Sequence, residues 1–267
     1  MKSHEVDYQI FGDDIQFVEI ELDPQEVVMA EPGSMMYMKD DISMETVFGD
    51  GSHNEDTSIM GKLFSAGKRV LTGENLFMTG YKNDGYKKSH VSFAAPMPGK
   101  IIPIDLTQYG GKVICQKDSF LCAAKGVAIG IEFNRKIGVG LFGGEGFIMQ
   151  KLEGDGMVFA NAGGTIHKVD LQQGQVIKVD TGCLVAFTAG VNYDIEMVKG
   201  IKNALFGGEG LFLATLRGPG TVWIQSLPFS RMADRIISSA PKMGGKSRGE
   251  GSILGGIGGM VMGDNRF

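Results

Sequence analysis

Apolar and polar residues alternate strictly in several short stretches of this chain. VEIEL at 18–22 and YDIEM at 193–197 have the two-residue period of a strand with one buried face. FIMQKL at 147–152 and TVWIQ at 221–225 are short apolar runs beside glycines, which is typical of buried strands. The pattern therefore predicts many short β-strands.

Turn and helix signals lie between these runs. NDG at 83–85, GDG at 154–156 and GPG at 218–220 predict tight turns. Residues 58–70 and 231–239 predict two short helices. Short strands at such regular spacing favour an all-β fold of sandwich or barrel units.

One phrase recurs along the chain and indicates an internal repeat. FGGEGF around Glu145 returns as FGGEGL around Glu209, 64 residues later. A weaker copy, TGENLF, surrounds Glu74. These three glutamates give the first register of a threefold repeat.

A second phrase gives an independent register. An alternating strand, a short turn and a further apolar strand recur at 18–38, 102–124 and 167–187. In this alignment the small residues at the second turn correspond, and they are Gly33, Ser119 and Gly182. Because the two phrases agree, we predict three copies over residues 7–227.

Unequal spacing of the phrases locates two insertions in the first copy. The predicted organisation is repeat 1 at 1–98 with insertions near 39–70 and 81–93, repeat 2 at 99–163, repeat 3 at 164–228, and a short helix with a Gly-rich tail at 229–267. A unit of about 60 residues buries a limited core, so its free strand edges need a neighbouring unit or another chain.

Composition narrows the class of protein. Gly supplies 41 of 267 residues, about twice its usual share, which fits many tight turns. A net charge of −5 argues against a general nucleic-acid binder. Three cysteines without a C-x-x-C pair, no visible signal peptide and no apolar run of 18 residues predict a cytoplasmic protein with reduced thiols.

Long segments resemble the altered-inheritance-of-mitochondria family, whose bacterial members form a conserved family of unknown function. The resemblance covers about residues 7–235 and is carried by GLFGGEGFIMQKLEGDGMVFANAGGT at 140–165 and GIKNALFGGEGLFLATLRGPGTVWIQSLPFSR at 200–231. It implies tandem units similar to the subunit of the trp RNA-binding attenuation protein, a short double-stranded β-helix. Mitochondrial relatives are linked to inner-membrane organisation.

The resemblance and the repeat together give the expected fold class. We expect an all-β chain of three tandem short double-stranded β-helix units, each sandwich-like, in a pseudo-threefold arrangement with one or two short helices. Similarity to an RNA-binding ring does not by itself transfer RNA binding.

The most tempting motif is a G-x-G-x-x-G string at Gly138, Gly140 and Gly143, the pattern of dinucleotide-binding loops. A strand-like run follows it where a helix is required, and the third copy lacks the first two glycines. We therefore predict no cofactor and interpret the motif as a repeated structural turn. Its residues are Glu74, Gly143, Gly144, Glu145, Gly146, Gly207, Gly208, Glu209 and Gly210.

Catalytic chemistry has two weak candidates. Cys183 could act as a nucleophile with His167, and Glu145 could act in acid–base chemistry. Apolar neighbours favour a buried Cys183, and equivalent glutamates in three copies favour structural turns. We predict no catalytic residue, no metal site and no enzyme activity, with a hydrolase as the alternative.

The clearest basic cluster comprises Lys82, Lys87 and Lys88. It is either a solvated hairpin tip or a phosphate or RNA site. We expect a non-enzymatic, homo-oligomeric β scaffold that acts through protein–protein contacts with an unknown partner, at or near a membrane surface. The alternative is a module that binds a small ligand or RNA in grooves between repeats or subunits, although nucleic acid is disfavoured by charge.

Overall fold

The architecture was examined in a computed structural model, which describes residues 2–48, 77–135, 147–197 and 212–239. Nineteen strands are described: β1 Asp7–Phe11, β2 Phe17–Leu22, β3 Val27–Ala30, β4 Met35–Met38, β5 Ile42–Phe48, β6 Phe77–Asn83, β7 Ser89–Ala94, β8 Gly99–Asp105, β9 Lys112–Gln116, β10 Phe120–Ala124, β11 Ala128–Arg135, β12 Phe147–Glu153, β13 Met157–Gly163, β14 Ile166–Leu171, β15 Val176–Asp180, β16 Leu184–Thr188, β17 Asn192–Met197, β18 Phe212–Arg217 and β19 Gly220–Gln225.

Helical structure is sparse among these residues. The one α-helix described is α1, Phe229–Ser239, and 3₁₀ turns occur at Leu106–Tyr109, Lys117–Ser119 and Thr181–Cys183. The predicted all-β class and the helix at 231–239 are thus confirmed. The predicted helix at 58–70 lies outside the described residues.

The predicted turns are also confirmed. The signals NDG, GDG and GPG fall at the connections β6–β7, β12–β13 and β18–β19. The β6–β7 connection spans 84–88, the β12–β13 connection spans 154–156, and the β18–β19 connection spans 218–219.

The strands form four antiparallel sheets. Sheet A has the order β1-β2-β7-β4, sheet B β5-β6-β3-β10-β13-β8, sheet C β11-β12-β9-β16-β19-β14, and sheet D β15-β18-β17. Sheet B joins strands from either side of residue 98 through β3 and β10, and sheet C joins strands from either side of residue 164 through β9 and β16. The two six-stranded sheets therefore tie successive parts of the chain together.

Three apolar cores separate the four sheets. The AB core contains Val18 and Phe93 from sheet A with Val28 and Tyr81 from sheet B. The BC core takes its residues from sheets B and C, including Trp223, and the CD core takes its residues from sheets C and D, including Phe187. The sheets therefore stack in the order A, B, C, D, with both faces of B and C covered.

The inner strands show how the sequence encodes this stack. In β3, Val27 and Met29 face the BC core, while Val28 and Ala30 face the AB core. All four residues are buried, so β3 is an uninterrupted apolar run. In β2 of the outer sheet, buried residues alternate with half-buried ones, because only one face is covered.

Candidate functional site

The residues of the predicted structural turns lie outside the described part of the chain. They are Glu74, Gly143, Gly144, Glu145, Gly146, Gly207, Gly208, Glu209 and Gly210. Gly138 and Gly140 of the dinucleotide-type string also lie outside it. The structural interpretation of these turns therefore stays a prediction.

The predicted basic cluster lies on the β6–β7 hairpin. Lys82 is on β6 and forms an ion pair with Asp84, with 2.7 Å between the nitrogen and the carboxylate oxygen. Lys87 is exposed in the connection, and its carbonyl accepts a hydrogen bond from the Asn83 amide at 2.8 Å. Lys88 Nζ lies 2.5 Å from a Glu21 oxygen and 3.2 Å from one of Asp7.

Carboxylates dominate the surroundings of Lys88. Asp23 is a third acidic neighbour, at 3.8 Å. The hydrogen bond to Glu21 is the main cause that raises the pKa of Lys88, and the same bond lowers the pKa of Glu21. With three carboxylates around one ammonium, this end of the hairpin repels a phosphate group.

Cys183 and His167, the candidate nucleophile and base, occupy different environments. Cys183 is half-buried in the 3₁₀ turn before β16, and burial raises the pKa of its thiol. His167 is exposed on β14, opposite Ile224 of β19. A thiol of raised pKa is a poor nucleophile at neutral pH, because the thiolate is the reactive form.

The other two cysteines are inert by burial. Cys115 and Cys122 are fully buried, in the BC and AB cores, and burial raises the pKa of Cys115 to about 12. Within the described ranges no group of three His, Cys, Asp or Glu side chains is arranged to hold a metal ion. The helix in the described part of the chain is too short and too polar to cross a membrane.

A cavity of about 520 Å³ lies where strands of sheets B and C end. Its walls come from the segments after β3, between β7 and β8, between β9 and β10, and before α1. The lining residues are Glu31, Pro32, Gly33, Ser34, Pro96, Met97, Gln116, Lys117, Asp118, Ser119, Phe120, Leu121, Asn161, Gly182, Gln225, Pro228, Phe229 and Ser230. Distant parts of the chain thus converge on one concave site of ligand-binding size.

Helix α1 is anchored beside this cavity. Arg231 donates to an Asp180 carboxylate oxygen at 2.8 Å, and Asp180 also accepts the Gly182 backbone N–H at 2.9 Å. Phe229, which begins the helix, lines the cavity and stays 54% exposed. The helix therefore presents an apolar side chain at the cavity wall.

Three buried amide side chains line the cavity, and only one of them is fully paired. Gln225 accepts the Gly163 N–H at 2.7 Å and donates to the Gly182 carbonyl at 2.8 Å. Gln116 is 5% exposed and Asn161 is 2% exposed. Gln116 Oε1 and Asn161 Oδ1 have no hydrogen-bond donor among the described residues. Both oxygens are buried within the cavity wall, out of reach of solvent.

Comparison with known proteins identifies the family of this chain. Residues 8–227 match the family model for mitochondrial biogenesis AIM24. The chain belongs to the AIM24 family. The resemblance expected from the repeated Gly-Glu phrases is therefore confirmed.

Two streptococcal proteins are similar to this AIM24-family chain. An uncharacterized protein of Streptococcus pyogenes serotype M6 is 33% identical over 227 residues, which are 84% of this chain and 86% of that protein. The X-ray crystal structure of a Streptococcus pyogenes protein matches with a TM-score of 0.68 and 25% identity, covering 88% of this chain and 100% of that one. The match to the crystal structure supports the all-β fold.

The cavity of this AIM24-family chain was not predicted from the sequence. Gln116 and Asn161 follow or lie within strongly apolar runs, ICQ and VFAN, and that polar interruption is the one signal that marked them. A polar residue in a buried strand needs a partner, but the sequence does not show which other segments surround it. The cavity depends on contacts between residues up to about 200 positions apart.

Proposed function

We propose that this AIM24-family protein is a non-enzymatic β scaffold that self-associates and acts through protein–protein contacts. The observation that carries the proposal is a pair of complementary sheet edges, β4 of sheet A and β15 of sheet D. In the described part of the chain neither pairs on its outer side. Exposed strand edges are ready templates for pairing with another chain.

Recurrent strand pairing supports a repeated unit. The chain contains three successive sets of six strands, namely β2–β7, β8–β13 and β14–β19. In each set the first strand pairs with the sixth, and the sixth strand pairs with the third. A bulge in the third strand recurs between Met35 and Tyr37, between Phe120 and Cys122, and between Leu184 and Ala186. We interpret the sets as three copies of a unit like the trp RNA-binding attenuation protein subunit. A closed pseudo-threefold arrangement within one chain would also pair β15 with β4, and the described strands do not include that pair.

The pairing within the chain predicts the pairing between chains. The second strand of one set pairs with the third strand of the next in β3·β10 and again in β9·β16. Among the described strands, β15 is a second strand without such a partner, and β4 is a third strand without one. Pairing β15 of one copy with β4 of another would build a further six-stranded sheet of the same kind.

The register of this contact follows from the two existing ones. Ala123 pairs with Met29, and Phe187 pairs with Ile114. Successive bulges lie 85 and 64 residues apart along the chain. When these offsets are applied to both existing pairs, Met38 of one copy lies opposite Lys178 of the other, and Tyr37 lies opposite Val179. Head-to-tail contacts of this type give closed rings or filaments, since each copy offers both edges.

The test replaces Lys178, whose backbone faces the free side of β15. The Lys125 N–H donates to the Val27 carbonyl, and the Glu31 N–H donates to the Leu121 carbonyl, each at 3.0 Å. Alternate residues of β3 therefore direct their backbone N–H and carbonyl groups towards β10. Lys178 is the β15 counterpart of Met29 in that series. Lys178→Pro removes the outward N–H, whereas Lys178→Ala keeps it.

Light scattering after size exclusion measures the outcome. We expect the natural protein and Lys178→Ala to exceed the 28.7 kDa of one chain, and Lys178→Pro to approach that mass with unchanged circular dichroism. A natural protein that stays at one chain's mass at micromolar concentration contradicts self-association.

Cysteine pairing tests the register and distinguishes contacts between chains from closure within one chain. Met38→Cys and Lys178→Cys are made separately in a Cys183→Ser background, mixed and oxidised. Facing strand residues lie at disulfide distance, so a cross-linked pair of the two different variants is expected. A disulfide that forms only within a double variant, with none in the mixture, refutes the intermolecular contact.

The location of the scaffold is a separate part of the proposal. We propose a cytoplasmic protein with peripheral membrane contact through α1, supported by Phe229, Ile236 and Ile237, of which the two isoleucines are 64% and 49% exposed. Sedimentation with anionic vesicles tests the contact, with Ile236→Ser and Ile237→Ser together expected to abolish it. Equal sedimentation of that double variant would refute it.

A second candidate function is a binding module between units, and the cavity favours it. Its volume falls in the range of small-ligand sites, and segments from distant parts of the chain line it. RNA is disfavoured, because carboxylates surround Lys88 on the one predicted basic hairpin. Native mass spectrometry of the purified protein tests this function, because a small molecule retained by the protein adds to the measured mass.

A further inference from the structure

The outer face of sheet A carries exposed apolar side chains at the bulge of β4. Met36 is 48% exposed and Tyr37 is 38% exposed. Tyr37 donates a hydrogen bond to Glu19, which the strand register places on the same face. Met35 and Met38 of the same strand pack against the AB core on the opposite face. Met36 and Tyr37, termed the bulge pair, therefore point away from the AB core.

The residues that correspond to the bulge pair in the other two sets are buried. When the sets are aligned by their bulges, Met36 corresponds to Leu121 and Val185. Leu121 of sheet B is 1% exposed and lies in the AB core, which sheet B shares with sheet A. Val185 of sheet C is fully buried in the BC core, which sheet C shares with sheet B. This strand position thus packs towards the preceding sheet twice within the chain, and sheet A has no preceding sheet among the described strands.

The opposite end of the stack has a matching uncovered surface on β14. Val169 packs against the CD core and stays half-buried, and His167, two residues before it on the same face, is exposed. Pairing with the sixth strand of each set aligns these two residues with residues of β2 and β8. The equivalents are buried in the AB and BC cores, and they are Val18, Ile20, Ile102 and Ile104. The CD core is therefore less completely covered along β14 than the other two cores are along β2 and β8.

The proposed edge pairing turns the bulge pair towards this surface. In its register Tyr37 of one copy lies opposite Val179 of the other, and directly opposite residues share one face of a sheet. Val179 is buried in the CD core, so the bulge pair of the added copy points to the side on which sheet C lies. Within the chain, Leu121 shares the AB core with Val18 in the same arrangement.

We propose that the bulge pair of one copy packs on His167 and Val169 of a second copy and completes the CD core of that copy. The added copy thus supplies the side chains that Leu121 and Val185 supply within the chain. This inference rests on the proposed self-association through β4 and β15. It adds a side-chain contact to the backbone pairing, and that contact selects the register and the partner.

Exchanged charges test whether Met36 and His167 meet. Met36→Lys and His167→Asp each place a charge against an apolar surface of the other copy, and we expect each to raise the concentration at which the assembly half dissociates by about 10-fold. The double variant brings opposite charges together in every contact, so its midpoint should return to within about 3-fold of that of the natural protein. Light scattering across a dilution series of the full-length chain measures these midpoints.

Tyr86→Lys is the matched control, because it also introduces a lysine in place of an exposed apolar side chain. Tyr86 is 97% exposed in the β6–β7 connection, whereas the bulge of β4 lies beside Phe93 at the other end of β7. The midpoint of this variant should equal that of the natural protein. Because all three replaced residues are exposed, circular dichroism and melting temperature should be unchanged in every variant.

The outcomes separate this contact from the scaffold on which it rests. A midpoint unchanged in both Met36→Lys and His167→Asp overturns the contact, and the scaffold stands if Lys178→Pro still lowers the mass. A double variant as weak as the two single losses combined also overturns the contact, because the two residues then do not interact. A natural protein with the mass of one chain refutes the scaffold itself, and this contact with it.

Discussion

At the scale of single residues, His4 shows how a local contact holds the N-terminal segment. Its Nδ1 accepts the Val27 backbone N–H at 2.9 Å, and the backbone N–H of His4 donates to the Lys125 carbonyl at 2.8 Å. Only the neutral imidazole has a nitrogen that can accept. Burial first, and the charge of Lys125 second, lower the pKa of His4 below 6.5.

This lowered pKa predicts that acid weakens the docking of the N-terminal segment. The stabilisation by neutral His4 is complete above pH 6.5 and is lost as pH falls towards the lowered pKa, because the unfolded chain binds the proton first. We expect the melting temperature to fall between pH 7.5 and 5.5 by more in the natural protein than in His4→Asn, whose Oδ1 can still accept. Parallel profiles in differential scanning calorimetry would contradict this role.

The surroundings of Cys183 favour one of its two interpretations. Cys183 was weighed as a nucleophile or a packing residue, and its half-buried position with a raised pKa supports packing. The apolar neighbours in CLVAF signalled this in the sequence. No comparable signal existed for Lys88, because its carboxylate partners Asp7 and Glu21 are 81 and 67 residues away.

At the scale of elements, Gln225 at the end of β19 joins three segments. It accepts from Gly163 of β13 and donates to Gly182 in the turn before β16. These contacts link the ends of sheets B and C beside the cavity. Asn161 of β13 has a shorter side chain, and its Nδ2 donates to the Asp118 carbonyl at 3.4 Å.

Replacement of Gln225 is therefore expected to be costly. Gln225→Leu leaves the Gly163 N–H and the Gly182 carbonyl unpaired in a buried site, and we expect a loss of about 2–4 kcal/mol in the free energy of unfolding. Gln175 is the matched control, because its side chain accepts from Gln172 in an exposed turn. Gln175→Leu should cost less than about 1 kcal/mol in urea denaturation. Equal losses for both variants would show that Gln225 does not link the sheets.

Strand pairing also refines the alignment of the repeated phrases. The sequence aligned Gly33 with Ser119 and Gly182. If the three proposed copies are aligned by their bulges, Gly33 corresponds to Asp118 and Gly182, one residue away from the alignment by phrases. Short apolar strands fix strand identity well, but a one-residue offset is decided by the partner strand.

At the scale of the whole molecule, the shared sheets couple the three cores. Each strand of sheet B packs one face into the AB core and the other face into the BC core, as β3 shows. The chain's single tryptophan, Trp223, lies in the BC core. Its fluorescence therefore reports on the middle of the stack.

This arrangement predicts that damage to an outer core is felt at Trp223. Phe93→Ala removes a fully buried ring from the AB core and should lower the free energy of unfolding by about 3–5 kcal/mol. We expect the Trp223 fluorescence and circular dichroism transitions in urea to shift together. Tyr86→Ala, at a fully solvated hairpin tip, is the control and should shift neither. A fluorescence midpoint unchanged by Phe93→Ala would mean that the cores unfold separately.

The sequence by itself determined the family, the all-β class, the turns and helix α1, because these depend on local residue patterns. The period-2 alternation of β2 and the glycine turns after β12 and β18 are such patterns. Only the tertiary structure decided that β4 ends sheet A and β15 ends sheet D, and that residues as far apart as Glu31 and Ser230 line one cavity. Alternation specifies which face of a strand is buried, whereas its neighbour across the sheet is selected by packing among distant segments.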